Sequence, residues 1–219
     1  MKIYHGSKII IEEPKQKGSN PENDYGPAFY VTTDLEMAKS WACRNNAIGV
    51  VNEYEIDSRS FANLKILDLT NKDQYSILNW LAILVHYRKF NKMFLRDYSN
   101  LIKWLDKYYI DIEKYDVVKG FRADDAYFKF PVSVLTNQLS IEDLQEVFML
   151  GNLGIQYAFI SKRAIKTLHF SKAVECDNSY LGHYFLVVKD ATKTFNEILN
   201  KPLDPHKHFL MDLWRKDNE

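Results

Sequence analysis

The sequence has few cysteines and no long apolar run. Its 219 residues include two cysteines, Cys43 and Cys176, too few for a disulfide framework or a cysteine-based zinc site. The longest apolar run, Leu78 to Val85, is far shorter than the ~20 residues that span a bilayer. The N-terminal segment has no signal-peptide pattern. We therefore expect a cytoplasmic protein with no membrane partner.

The sequence also lacks net charge and the common nucleotide and metal motifs. Lys+Arg and Asp+Glu both number 29, which disfavours a strongly basic nucleic-acid binder. The basic stretch Lys162–Lys166 keeps a local basic patch, and with it modification of a nucleic acid, open. There is no G-x-G-x-x-G, P-loop or H-E-x-x-H motif and no local Ser-His-Asp signature, so we expect no metal site.

The chain is 46% hydrophobic, which suits one large domain. Its order of elements lacks the strand–helix alternation of a doubly wound sheet, so the predicted class is α+β. We predict a domain over 1–176 with a pair of helices inserted at about 73–108, and a helical extension over 177–219 packed on it. Strands are predicted at 2–5, 9–11, 28–31, 50–56, 64–69, 116–121, 155–161 and 168–176, and helices from Thr33 to about Asn46 and from Ser140 to Leu150.

The first motif that indicates chemistry is Tyr4-His5-Gly6-Ser7. An imidazole at the end of a strand can bond a ribose hydroxyl, and the backbone beside a glycine can bond an amide group that comes close. The alternative is an ordinary turn after the first strand.

Aromatic residues follow in the next two elements. Tyr30 lies in a short strand, where it is either a half-buried strand tyrosine or a stacking platform for a flat ring. Trp41 follows on a helix among Ala38 and Ala42, a setting that fits core packing or a second pocket wall.

Polar residues also end or interrupt two later strands. Arg122, Asp124 and Asp125 form a charged turn, in which the carboxylates either cap a helix or belong to a site. Gln156 is a polar residue in an apolar strand, so it either faces solvent or projects into a cleft.

Together these residues resemble the ADP-ribosyltransferase superfamily, and most closely an uncharacterised, mainly bacterial family related to it. The resemblance spans about residues 3–170 and is carried by four patches: Tyr4-His5-Gly6-Ser7, Gly26 to Ala42, Arg122 to Asp125, and Gln156 to Phe159. It implies a split pair of β-sheets with NAD in the cleft between them.

The resemblance also implies roles, as in the superfamily's His-Tyr-Glu branch. His5 would contact the NAD ribose, Gly6 would bond the nicotinamide amide, and Tyr30 with Trp41 would enclose the nicotinamide ring. Gln156 stands where that branch has a glutamate that holds the ribose 2′-hydroxyl. The residues assigned to cofactor binding are His5, Gly6, Ser7, Tyr30, Trp41 and Arg122, and those assigned to catalysis are Gln156, Asp125 and Asp124.

The implied reaction is mono-ADP-ribosyl transfer from NAD to a macromolecular acceptor, a protein rather than a nucleic acid. It proceeds through an oxocarbenium-like state that a carboxylate stabilises, and Gln156 carries no charge. Three interpretations stay open: Asp125 or, second, Asp124 supplies the carboxylate; catalysis is weak; or the protein only binds a nucleotide.

Overall fold

The computed structural model describes residues 1–16, 19–90, 92–123, 128–149, 154–202 and 204–219, and shows an α+β protein with two sheets. Its strands are β1 (Lys2–Ser7), β2 (Phe29–Val31), β3 (Val50–Glu55), β4 (Ile66–Asp68), β5 (Val117–Phe121), β6 (Ile155–Phe159) and β7 (His169–Glu175). Each lies within or close to a predicted strand.

The strands form two sheets of different size. One has the order β1-β3-β7 and the other β2-β6-β5-β4, and all neighbours are antiparallel except β4 and β5. In the described residues the sheets are joined by one isolated bridge, at which Tyr4 and Thr32 exchange backbone hydrogen bonds of 2.8 and 2.9 Å. Apolar side chains from both sheets, including Ile3, Tyr54 and Phe159, pack together in the core between them.

The helices lie before, between and after the strands. They are α1 (Leu35–Ala42), α2 (Ser58–Ala62), α3 (Ile77–Tyr87), α4 (Lys92–Asp97), α5 (Ser99–Leu105), α6 (Lys129–Leu135), α7 (Ile141–Met149), α8 (Lys162–Ile165), α9 (His183–Leu199) and α10 (Leu210–Lys216). The segment predicted to contain a pair of inserted helices therefore contains three, α3 to α5. No helix within the described ranges is both long enough and apolar enough to cross a membrane.

The inserted helices and the C-terminal tail belong to the larger core. The α3 side chains Trp80 and Leu81 are fully buried there, and the Trp80 indole donates to the Phe121 carbonyl on β5 at 3.1 Å. Ile198 of α9 and Leu210 of α10 are buried in the same cluster. The tail therefore packs on the body of the protein.

Two predicted elements differ from the structure. Residues 9–11 are a loop instead of a strand, because side chains satisfy their backbone: the Ile11 N–H donates to Asn52 Oδ1 at 2.7 Å, and the Tyr54 hydroxyl donates to the Ile11 carbonyl. The first helix starts after Asp34, whose carboxylate accepts from the N–H of Met37 at 3.0 Å, and it ends at Ala42.

Candidate functional site

A cleft of about 770 Å³ lies where the two sheets part, beyond the Tyr4–Thr32 bridge. This volume is within the range of about 300–1,000 Å³ that is typical of small-molecule sites. It brings together residues from strands β1, β2 and β6, helix α1 and several loops. Of the residues predicted from the sequence, those that line it are His5, Gly6, Tyr30, Trp41, Arg122 and Gln156.

Gly6 presents its backbone to this cleft. Tyr4 bonds Thr32 on the side of β1 away from β3, and backbone groups alternate sides along a strand. The N–H and C=O of Gly6 therefore point the same way as those of Tyr4, into the space that opens beyond the bridge. Its Cα packs so closely on α1 that an added Cβ would lie 2.1 Å from the Ala38 carbonyl oxygen.

His5 is held as a neutral ring with one defined tautomer. Its Nδ1 lies 2.6 Å from the Tyr30 carbonyl oxygen, and its ring stacks on Phe29 with centroids 4.5 Å apart. A carbonyl only accepts, so Nδ1 carries the proton and Nε2 keeps a lone pair. Burial lowers the pKa of His5, and the hydrogen bond to Tyr30 acts in the opposite direction. Nε2 is thus available as an acceptor at neutral pH.

Tyr30 is fixed at both ends of its side chain. The strand β2 holds its backbone, and its hydroxyl donates to the Gly26 carbonyl at 2.7 Å and accepts from the Tyr25 N–H at 3.1 Å. Burial, more than any other cause, raises the pKa of Tyr30 well above its ordinary value, so the hydroxyl stays protonated. The ring lines the cleft in a set orientation.

The ring of Trp41 contacts two arginine side chains. The guanidinium carbon of Arg122 lies 3.9 Å from its ring centroid and that of Arg44 lies 4.2 Å away. Tyr184 of α9 meets the ring edge-on at 6.2 Å. Such cation–π contacts place two positive charges at this end of the cleft.

Gln156 is buried and bonded to Asp24, an acid that no sequence motif indicated. Only 8% of Gln156 is exposed, so the solvent-facing interpretation is wrong. Its Nε2 donates to Asp24 Oδ2 at 2.8 Å. Because a carboxylate only accepts, this bond fixes the amide orientation, and no described residue donates to Oε1.

Asp24 is the buried carboxylate of the cleft. Its Oδ2 also accepts from the Ala123 N–H at 2.8 Å, and its Oδ1 lies 3.7 Å from Arg88 Nη1 without a hydrogen bond in the described part of the chain. Burial raises the pKa of Asp24, while the charge of Arg88 and the two hydrogen bonds oppose that shift. An Asn-Asp pair in a polar loop carries no local signal that separates it from an ordinary turn.

One predicted site residue does not join this group. Ser7 does not line the cleft, because its hydroxyl donates to the Ile9 carbonyl and accepts from Asn52 Nδ2 at 3.0 Å. Asp124 and Asp125 lie outside the described residues. Asp24 is therefore the acid that the described structure places beside Gln156.

The charges around the cleft favour a ligand with negative groups. Among the described residues, basic side chains outnumber acidic ones in the lining, which includes Lys15, Arg44, Arg88 and Arg122 against Glu13 and Asp24. Arginine in particular bonds phosphate oxygens through two parallel N–H groups. In the described residues no group of three or more His, Cys, Asp or Glu side chains could hold a metal ion.

Comparison with known proteins gives one relationship. The chain matches no curated protein and no solved structure. A family model described as "Protein of unknown function (DUF3990)" matches residues 1–170, which include both sheets up to the start of β7 and every described residue of the cleft. The chain therefore belongs to the DUF3990 family.

Proposed function

We propose that the cleft binds NAD and that the protein is a mono-ADP-ribosyltransferase, built on an ADP-ribosyltransferase-like fold. In this reaction the nicotinamide–ribose bond breaks and ADP-ribose passes to a macromolecular acceptor, a protein rather than a nucleic acid. The observation that carries the proposal is the convergence of His5, Gly6, Tyr30 and Gln156, from three strands, on one cleft.

Gly6 and His5 match the hydrogen-bonding groups of nicotinamide riboside. A carboxamide has a donor and an acceptor side by side, and Gly6 offers the complementary C=O and N–H on the edge of β1 that faces away from β3. The lone pair on His5 Nε2 accepts a hydrogen bond from a ribose hydroxyl, because its Nδ1 is already bonded to Tyr30.

Tyr30 and the arginines supply the remaining contacts. The Tyr30 ring is held by its hydroxyl bonds and gives the nicotinamide ring a stacking surface. Arg122 and Arg44 over Trp41 provide positive charge for the two phosphates of NAD.

The experiment is incubation of the protein with NAD labelled in its adenylate part, together with a cell extract as the source of acceptors. Released nicotinamide is measured by chromatography and transferred label by gel electrophoresis. We expect both for the wild type. Absence of both products with folded wild-type protein would contradict the proposal.

A matched pair of variants at Tyr30 tests the stacking contact. Tyr30→Phe keeps the ring and loses the hydroxyl bonds, so NAD affinity should stay within about threefold of the wild type while thermal stability decreases. Tyr30→Leu removes the ring and should weaken NAD binding roughly tenfold or more, since stacking of a base on an aromatic ring contributes about 1–3 kcal/mol. Equal affinity of both variants would exclude Tyr30 as the stacking surface.

A second candidate is an NAD- or nucleotide-binding module without catalysis. The neutral side chain of Gln156 in the late strand favours it, because an amide can hold a hydroxyl but stabilises a cation less than a carboxylate does. Calorimetry that detects NAD binding, combined with no release of nicotinamide over many hours, would select this candidate.

A further inference from the structure

Gln156 carries no charge, but its side-chain amide is hydrogen-bonded to the carboxylate of Asp24. Asp24 Oδ2 accepts from Gln156 Nε2 at 2.8 Å, and the amide oxygen of Gln156 accepts no hydrogen bond in the described part of the chain. Both residues line the same cleft, where Asp24 is 6% and Gln156 8% exposed.

We propose that Asp24 supplies the charge that stabilises the cationic ribose, and that it acts through Gln156, whose Oε1 holds the ribose 2′-hydroxyl. This inference rests on the proposed function. In it, Gln156 touches the substrate, and Asp24 is a positioning residue that orients and polarises the Gln156 amide. Hydrogen bonds in such a chain polarise one another in a low-dielectric site.

The hydrogen bonds of Asp24 do not by themselves explain why it is an acid. Its loop is already fastened to β5 by the Tyr25 hydroxyl, which donates to the Phe121 carbonyl at 2.7 Å, and to β2 by the Tyr30 hydroxyl. The two bonds that Asp24 accepts, from Gln156 and from Ala123, could be accepted by the amide oxygen of an asparagine.

A carboxylate here instead leaves Oδ1 buried without a hydrogen bond from any residue that the structure describes. Such a group is costly to bury, by about 1–3 kcal/mol and more when it is charged. The nearest described cation, Arg88, forms an ion pair with this oxygen at 3.7 Å, a distance that is too long for a hydrogen bond. A buried charge of this kind, which lacks a hydrogen bond to one of its two oxygens, is typical of a functional position.

The chemical step balances without a change in either residue. The C–N bond between ribose and nicotinamide breaks, and its electron pair goes to the pyridinium nitrogen, so neutral nicotinamide leaves. An acceptor oxygen or nitrogen then bonds the same ribose carbon and loses its proton to water. The carboxylate of Asp24 keeps its charge throughout, and its electrostatic stabilisation is largest when the ribose is cationic.

The test compares three variants by kcat and KM for nicotinamide release, NAD affinity and thermal unfolding. Asp24→Asn should lower kcat about 10²–10³-fold, as loss of one preorganised electrostatic group does, with NAD affinity changed less than about fivefold. Its melting temperature should decrease, because Arg88 loses its buried counter-charge. Asp116→Asn is the matched control, because Asp116 is a mostly buried acid outside the cleft, bonded to Ser161 at 2.6 Å and to Arg163. It should lose stability and keep kcat.

The double variant D24N/Q156E exchanges the acid and the amide, so that the same pair stays bonded with the charge on β6. We expect its kcat to be at least tenfold above that of D24N. If D24N does not fold, the double variant decides alone: activity of the folded protein supports the role of the charge, and inactivity overturns it.

The outcomes separate this inference from the function on which it rests. A wild type that releases no nicotinamide overturns the proposed function and this inference with it. An active wild type with a D24N kcat within about threefold of it overturns the role of Asp24 alone.

Discussion

Gly6→Ala tests the close contact of β1 and α1 that shapes the cleft. The new Cβ would lie 2.1 Å from the Ala38 carbonyl oxygen and 2.8 Å from the Ala42 nitrogen, both in the backbone of α1. Overpacking costs about 1–3 kcal/mol, and a backbone obstacle should place this variant near the upper end. At roughly 2–4 °C per kcal/mol for a chain of this size, the melting temperature should decrease by about 6–12 °C.

The assay is calorimetric or fluorescence-detected unfolding, with two comparisons. Adding Ala38→Gly to this variant should not restore stability, because the obstructing atom belongs to the backbone. Gly182→Ala is the control for loss of a glycine without a clash. Among the described residues no atom lies within 4 Å of the added Cβ, and the φ of +76° predicts a smaller loss of about 1 kcal/mol. A Gly6→Ala melting temperature within about 2 °C of the wild type would refute this packing.

Two further predictions concern His5 and Ser7. The pKa of His5 is lowered by burial, so the unfolded state binds more protons below pH 6.5 and stability should decrease as pH falls through that window, by at most about 1.4 kcal/mol per pH unit. Denaturant unfolding between pH 5 and 7 should show a steeper decrease for the wild type than for His5→Asn, and equal slopes would contradict the buried neutral ring. Ser7→Ala should leave NAD affinity within about twofold in calorimetry, because its hydroxyl is already bonded to Ile9 and Asn52 and Ser7 does not line the cleft. A tenfold loss of affinity would show that Ser7 contacts the ligand.

Local patterns predicted most of the described elements. Alternating and β-branched residues mark β3 and β6, and Ser140 caps α7 as expected, with its hydroxyl accepting from the Asp143 N–H at 3.0 Å. The loop at residues 9–11 was missed because its partners, Asn52 and Tyr54, are about forty residues away in the chain. No periodicity within the segment reports such bonds.

The site was predictable where a motif carries the chemistry and not where a distant contact does. His5, Gly6, Tyr30 and Gln156 could be chosen from short motifs, and the structure brings them to one cleft. Asp24 is a candidate site residue only because it bonds Gln156, which lies 132 residues further along the chain. No pattern in the loop of Asp24 reveals that bond.

The stacking on Trp41 was missed for a related reason. Its partner Arg122 belongs to a different motif, and although both motifs predict site residues, neither predicts that the two side chains touch. Arg44 lies just three residues beyond Trp41, but α1 ends at Ala42, so helical spacing did not indicate this contact.

A crystal structure of the protein with a non-hydrolysable NAD analogue tests the central claim most directly. We predict the nicotinamide carboxamide within about 2.7–3.2 Å of the Gly6 N–H and C=O, with its ring on Tyr30 and the ribose between His5 Nε2 and Gln156 Oε1. An empty cleft at saturating analogue, or an analogue bound away from Gly6, would contradict the account.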